Sequence, residues 1–291
     1  MSQAIAITGL NKKYGTKPAL KNVSLNVGQG EIFGFLGPNG AGKTTTIRCI
    51  MDFIRPDSGS VNVFAKDAQK DALAIKSMIG YLPADNQLYE KWNARQHIDF
   101  YSSIKGSPSE SKKLLEKLGL SPDLQVRHMS TGNRQKLSFT LTFIGKPELL
   151  ILDEPTRGLD PLLQNEIYDI LKRYAADGGT VFLSSHNLAE VEHMCTNVGV
   201  IRNGEIVANR SMDDIRAMKI HIVTVTYNDA KALKTPKITD VEVINSSPGR
   251  SVLRARGNIN QLIRELGKQD LKDVEITHAP LEDIFMEYYK D

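Results

Sequence analysis

Several short runs along the chain are apolar at every position, with no polar alternate, and each closes on a polar or glycine-rich turn. Ile32-Phe33-Gly34-Phe35-Leu36, Leu149-Leu150-Ile151-Leu152 and Thr180-Val181-Phe182-Leu183 have this form. It predicts strands buried on both faces, as in a parallel sheet covered by helices. Residues 4–8, 20–27, Ser60–Phe64 and Met78–Leu82 (stopped by Pro83) read as further strands. Val198–Ile201 and Glu205–Val207 form a strand pair joined through Arg202-Asn203-Gly204, an Asn-Gly hairpin signal. From Ala84 to about Leu120 the texture turns helical: Leu114, Leu115 and Leu118 share a face that Lys112, Lys113, Glu116 and Lys117 avoid. Trp92 falls in this section, where packing is its expected role. Helices are also expected from the Ser130 region through Phe143 and from about Leu162 to Ala176. The first 218 residues thus predict an α/β domain with a helical subdomain at about 84–145.

Beyond about Met218 the pattern changes. Ile220–Tyr227 alternates, with Val223, Val225 and Tyr227 on one face. Asp240–Ile244 and Ser251–Arg256 read as a hairpin about Ser247-Pro248-Gly249. Ile259, Leu262, Ile263 and Leu266 repeat at helical spacing, and Val274-Glu275-Ile276 is strand again. Leu281, Ile284, Phe285 and Tyr288 predict a closing amphipathic helix. Residues 219–291 are therefore expected to form a small α+β domain of ferredoxin-like type.

The sharpest chemical signal comes directly after the strand at 32–36. Gly37-Pro38-Asn39-Gly40-Ala41-Gly42-Lys43-Thr44-Thr45 sits between that strand and a helix beginning near Thr46, the context a G-x-x-x-x-G-K-[ST] phosphate loop requires. Gly37, Gly40 and Gly42 permit backbone conformations that let N–H groups converge on phosphate oxygens, backed by the positive end of the helix. Lys43 would reach the β- and γ-phosphates, and the Thr44 hydroxyl would ligate Mg²⁺.

The strand at 149–152 ends in Asp153-Glu154-Pro155. In a parallel sheet, ligands bind outside the carboxyl ends of the strands. Asp153 would then hold the Mg²⁺ shell, and Glu154 would accept a hydrogen bond from an attacking water, as general base or by orienting it. The strand at 180–183 runs through Ser184-Ser185 to His186, placing an imidazole where a γ-phosphate contact is expected. Ser130 with Gly132 opens a helix and by itself reads as an ordinary N-cap that could also present donors to an anion. Tyr14 reads equally as an exposed turn tyrosine or as an aromatic face for a base.

Composition narrows the class without changing it. The 291 residues are 41% hydrophobic and 24% charged, enough for a full core. A net charge of +3 is too small to imply nucleic acid or a membrane surface. Cys49 and Cys195 give no disulfide framework and suit a reducing compartment, with Cys49 expected in the core. The start Met1-Ser2-Gln3-Ala4 lacks signal-peptide features, and no apolar run approaches the ~20 residues of a spanning helix. Service at a membrane would require docking on a protein already there.

Taken together, the motifs over roughly residues 3–215 closely resemble the ATP-binding subunits of ABC transporters. The resemblance implies a P-loop ATPase using ATP and Mg²⁺. Tyr14 matches its base-stacking aromatic, Gly37 to Thr45 the Walker A loop, and Met129 to Asn133 the signature motif. Asp153 and Glu154 match the Walker B pair, Asp160 the D-loop and His186 the switch histidine. It further implies an ATP-sandwich dimer, homodimeric or with a similar subunit, in which the signature motif faces the phosphate loop of the second subunit. A separate transmembrane permease subunit would be met by the helical section after Pro83, placing the chain in the cytoplasm on the inner face of the membrane, with no nucleic acid expected. The tail, ending in Leu281-Glu282-Asp283-Ile284-Phe285, resembles the extension of the exporting branch. An importer ATPase with a ligand-regulated tail, or a soluble cassette acting on ribosomes or DNA, are the alternatives. Three positions depart from the family: the signature reads Met129-Ser130-Thr131-Gly132-Asn133 rather than Leu-Ser-Gly-Gly-Gln; Ala84 replaces a glutamine, leaving its role to Asp85 or Gln87; and Arg157 stands where a small polar residue is usual.

Overall fold

The computed structural model describes residues 2–85, 87–217, 220–228, 238–257 and 259–278. Its contacts divide the chain into two compact units, Met1–Arg210 and Ser211–Asp291.

The first unit runs β1 (Gln3–Tyr14), β2 (Lys17–Gly28), β3 (Ile32–Leu36), α1 (Lys43–Ile50), β4 (Ser58–Val63), β5 (Lys66–Asp67), α2 (Ala72–Met78) and β6 (Ile79–Leu82). It continues through α3 (Ala94–Lys105), α4 (Ser109–Lys117), a 3₁₀ turn at Val126–His128, α5 (Thr131–Leu141), β7 (Leu149–Asp153), α6 (Pro161–Ala176), β8 (Thr180–Ser185), α7 (Leu188–Met194), β9 (Asn197–Arg202) and β10 (Glu205–Ser211). The main sheet has the order β10-β9-β3-β8-β7-β6, parallel from β9 to β6. Every residue of β3, β7 and β8 is buried, as uninterrupted apolar runs require. Strand register aligns the carboxyl ends: Leu36 lies beside Ser185, and Asp153 beside Ser184. Three strands therefore release Gly37, Glu154 and His186 at one edge.

An antiparallel sheet, β2-β1-β4-β5, lies beside it. Ile5, Ile7, Leu10, Leu20, Val23 and Leu25 share a core with Phe33, Phe35, Phe182, Ile47 and Cys49. The strand signals at 4–8 and 20–27 mark only the centres of β1 and β2; β1 runs to Tyr14 because its outer half stays paired, Tyr14 with Lys17.

The helical section is more broken than its texture suggests. The described residues between β6 and α3 are not helical, and helix begins at α3 behind a capping box of Asn93 and Gln96. Trp92 precedes that helix and packs with ring centroids 5.4 Å from both His97 and Phe100. Ala94, Ile98, Leu115, Leu120, Val126, Met129 and Leu137 give α3, α4 and α5 a core of their own. Met78, expected in a strand, closes α2.

His97 is fully buried in that subdomain. The Tyr89 N–H donates to its Nε2 at 3.0 Å, and Nδ1 lies 2.8 Å from the Asn93 carbonyl, an arrangement that suits the neutral ring. Burial pushes its pKa below the ordinary imidazole value, with the Asn93 bond opposing. The unfolded chain therefore takes up the proton first, and the contribution of His97 to stability, present above its unfolded pKa, is lost as pH falls through that value toward the folded one. The urea midpoint of the wild type should drop between about pH 7.5 and about pH 5.5 more steeply than that of His97→Gln; equal slopes would contradict the assignment.

The second unit opens with α8 (Met212–Ala217), then β11 (Ile220–Tyr227), β12 (Val241–Ser247), β13 (Arg250–Arg256), α9 (Asn260–Leu266) and β14 (Leu271–His278). Its strands are all antiparallel to their neighbours in the order β12-β13-β11-β14. Val223, Val225, Tyr227, Leu253, Leu262 and Leu266 form its core. The helix expected at Leu281, Ile284, Phe285 and Tyr288, and the Leu281–Phe285 motif, lie outside the described residues.

Candidate nucleotide site

The loop after β3 is shaped by what cannot fit. A Cβ on Gly37 would lie 2.4 Å from the Ile201 carbonyl oxygen, and one on Gly42 would lie 2.9 Å from that of Ala19. Gly42 also has φ +118°, in the left-handed region. It precedes α1 without a side-chain cap, and the first turn of α1 holds no acidic residue. First-turn N–H groups lack intrahelical acceptors, so this helix start suits an anion.

Two carboxylates meet the loop from β7. The Thr44 hydroxyl donates to Asp153 Oδ2 at 2.9 Å, and Ser184 Oγ donates to Asp153 Oδ1. Glu154 is held at φ +55°, uncommon for a side chain larger than glycine. Its N–H reaches the carbonyl and hydroxyl oxygens of Ser184, each at 3.2 Å. Lys43, 6% exposed, donates to the Gly37 carbonyl at 2.6 Å, with Nζ 3.3 Å from Glu154 Oε1. That approach is an ion pair but out of line for a hydrogen bond, leaving buried Oε1 without a hydrogen-bond partner among the described residues. Glu154 Oε2 lies 2.7 Å from Nδ1 of His186, whose side chain is 53% exposed.

A cleft of about 220 Å³ opens over these groups. Pro38, Asn39, Gly40, Gly42, Lys43, Thr44, Thr45, Asp153 and Glu154 line it, joined by Ala84 and Arg157. Ala41 is buried beneath the loop, its carbonyl accepting from the Gly204 N–H. Gln87, a candidate replacement for the glutamine missing at Ala84, lines a separate cleft with Tyr81 and Tyr101. The cation that does line the phosphate cleft besides Lys43 is Arg157.

Ser130, Gly132 and Asp160 form a second group that does not line this cleft. Ser130 caps α5, accepting from the Asn133 N–H at 3.2 Å, and Asp160 caps α6, accepting from the Leu163 N–H at 3.0 Å. The two turns adjoin: a Cβ on Gly132 would lie 3.9 Å from Leu159 Cδ2. Gln135 ties α5 to the segment that follows β7 by donating to the Pro155 carbonyl at 2.7 Å. Tyr14, 48% exposed at the end of β1, is also apart from the cleft. Sequence reasoning misses Ser184 and Gln135; the signal that could have found Ser184 is a hydroxyl inside an otherwise buried strand.

Residues 20–157 match the protein family described as ABC transporter. Over 298 residues the chain is 34% identical to the bacitracin transport ATP-binding protein BcrA of Bacillus licheniformis, covering 98% of this chain and 97% of that one. It is 30% identical over 300 residues to the daunorubicin resistance ATP-binding protein DrrA3 of Streptomyces coeruleorubidus, covering 97% and 95%. A solved structure of the ATP-binding subunit of an ABC transporter superposes with a TM-score of 0.68 at 29% identity, over 74% of this chain and 92% of that one. With relatives alike over their full length and the phosphate loop in place, the chain belongs to the ATP-binding subunits of ABC transporters and is an ABC ATPase.

Proposed function

We propose that the chain powers an exporter by hydrolysing Mg²⁺-ATP at the edge where β3, β7 and β8 end. The observation that carries this reading is the continuous line Thr44–Asp153, Lys43–Glu154–His186 along that edge. Lys43 would exchange the Gly37 carbonyl for β- and γ-phosphate oxygens. Thr44 and Asp153, already in contact, would hold Mg²⁺, which neutralises phosphate charge when bound and takes its other ligands from nucleotide and water. Glu154 would take a hydrogen bond from the attacking water on Oε1, which has no hydrogen-bond partner among the described residues, with His186 orienting it and meeting the γ-phosphate. Tyr14 would stack on the base.

Family subunits dimerise and work with transmembrane permeases. The position of Ser130, Gly132 and Asp160 away from the phosphate cleft supports a sandwich in which they serve the nucleotide of a second ATPase subunit. Among the described residues no helix is long and apolar enough to cross a membrane, so the membrane role would run through a permease, from the cytoplasmic face. Export is supported by full-length likeness to proteins named for bacitracin transport and daunorubicin resistance. Purification from detergent-solubilised membranes should bring down a multi-span protein in stoichiometric amount; recovery of ribosomal or chromosomal proteins alone would overturn the transport reading.

Arg157 would add a second cation to the phosphate cleft, in a lining where Ala84 offers no polar side chain. Arg157→Ala should raise the KM for ATP about fivefold, the scale of one exposed charge-assisted contact, with a smaller change in kcat. An unchanged KM would remove Arg157 from the nucleotide site.

A further inference from the structure

A third carboxylate lies behind the catalytic edge. Glu190, on α7, is 3% exposed. Its Oε1 accepts from the Thr156 hydroxyl and its Oε2 from the Ser185 hydroxyl. Thr156 comes directly after Glu154-Pro155, and Ser185 immediately precedes His186. The Asn187 N–H donates to Ser185 Oγ at 2.9 Å, and the Asn187 carbonyl lies 3.2 Å from the same Oγ, a longer acceptor than the Glu190 carboxylate. The carbonyl of Ser185 also accepts from the Gly37 N–H at 3.2 Å, so the start of the phosphate loop is tied to the same residue.

We infer that Glu190 is a positioning residue for hydrolysis: by holding Thr156 and Ser185 on one carboxylate it sets the placement of Glu154 against His186. The inference rests on the ATPase reading above. A buried carboxylate is costly to desolvate, so its presence here calls for a role that packing does not supply. What the carboxylate adds is a two-sided acceptor joining two segments that are distant in sequence. Burial pushes its pKa up, the Ser185 and Thr156 hydroxyls pull it back, and Glu154 and His186 act on it with opposite signs.

The test uses the full chain and compares Glu190→Leu, which keeps bulk but no acceptor, with Glu190→Gln, which can still bridge both hydroxyls with one bond reversed. Glu190→Leu should lower kcat about thirtyfold while the Kd for a fluorescent ATP analogue stays within about twofold; Glu190→Gln should lose only about threefold. In a Glu154→Gln background, Glu190→Leu should cost nothing further, because the two act as one unit. Thr156→Val, nearly isosteric, should show the same split between kcat and Kd and serves if Glu190→Leu does not fold. Retained kcat in Glu190→Leu, or kcat and nucleotide binding falling together with the melting temperature in both Glu190→Leu and Thr156→Val, would overturn the positioning role. Absence of any ATP turnover in the wild type would instead overturn the ATPase reading itself.

Discussion

Glu154→Gln is expected to lower ATP turnover by about 10²-fold or more while nucleotide binding survives, as loss of a general base does. Glutamine keeps the volume and can still meet His186, so the contact at 2.7 Å has a substitute. The lost feature is the negative oxygen Oε1, which is buried and has no hydrogen-bond partner among the described residues. Lys43 gives that oxygen a countercharge at 3.3 Å but no hydrogen bond, so its acceptor capacity stays open to a water about to attack a phosphate. Glu154 is also held in a left-handed backbone conformation by the two bonds from its N–H to Ser184. Local strain of this kind points to a placement that packing alone would not select. Steady-state turnover beside equilibrium binding of a fluorescent ATP analogue measures both halves of the prediction. Loss of binding in parallel with turnover would show that Glu154 only shapes the cleft.

Lys43→Met is expected to fail earlier, at binding. Methionine keeps an apolar stem at the start of α1 but removes the buried ammonium of the loop. Charge-assisted contacts to phosphate oxygens in a site of this kind contribute about 3 kcal/mol, so the Kd for ATP should rise about a hundredfold. Glu154 would also lose the cation at 3.3 Å and become a buried carboxylate without that countercharge. Titration calorimetry with Mg²⁺-ATP, run beside a thermal melt, separates the affinity loss from any loss of fold. Binding within about threefold of the wild type would remove Lys43 from the phosphate site.

Much of this site is legible in the sequence because its parts stand at the ends of fully buried strands. Runs such as 149–152 and 180–183 have one structural solution, and once they are parallel neighbours their carboxyl ends must align. Asp153, Glu154 and His186 then share an edge with Lys43 without any side-chain detail. The readings that fail share a different cause. Helix α2 escapes notice because Ile75 is its one buried residue while Leu73 is exposed, so it shows no apolar stripe. Tyr89 and Trp92 lend a helical texture to the stretch after Pro83, yet both precede α3 and stack their rings onto it.

Charged residues are the least readable. Glu190 in sequence resembles a solvated helix face, and its burial depends on hydroxyls 34 and 5 residues away along the chain. Arg157 has no account in the sequence; the cleft supplies one by placing it in the same lining as Ala84. Ser130 reads as a helix cap and is one here, and Asp160, which reads as part of a turn, caps α6; the further role proposed for both lies in a second subunit.

That second subunit is the central claim, and light scattering of the full-length Glu154→Gln variant tests it most directly. In the presence of Mg²⁺ and saturating ATP the account predicts a stable dimer, reverting to monomer when Ser130 is also changed to a bulky residue or when ADP replaces ATP. A strictly monomeric Glu154→Gln variant that nevertheless binds ATP would contradict the sandwich.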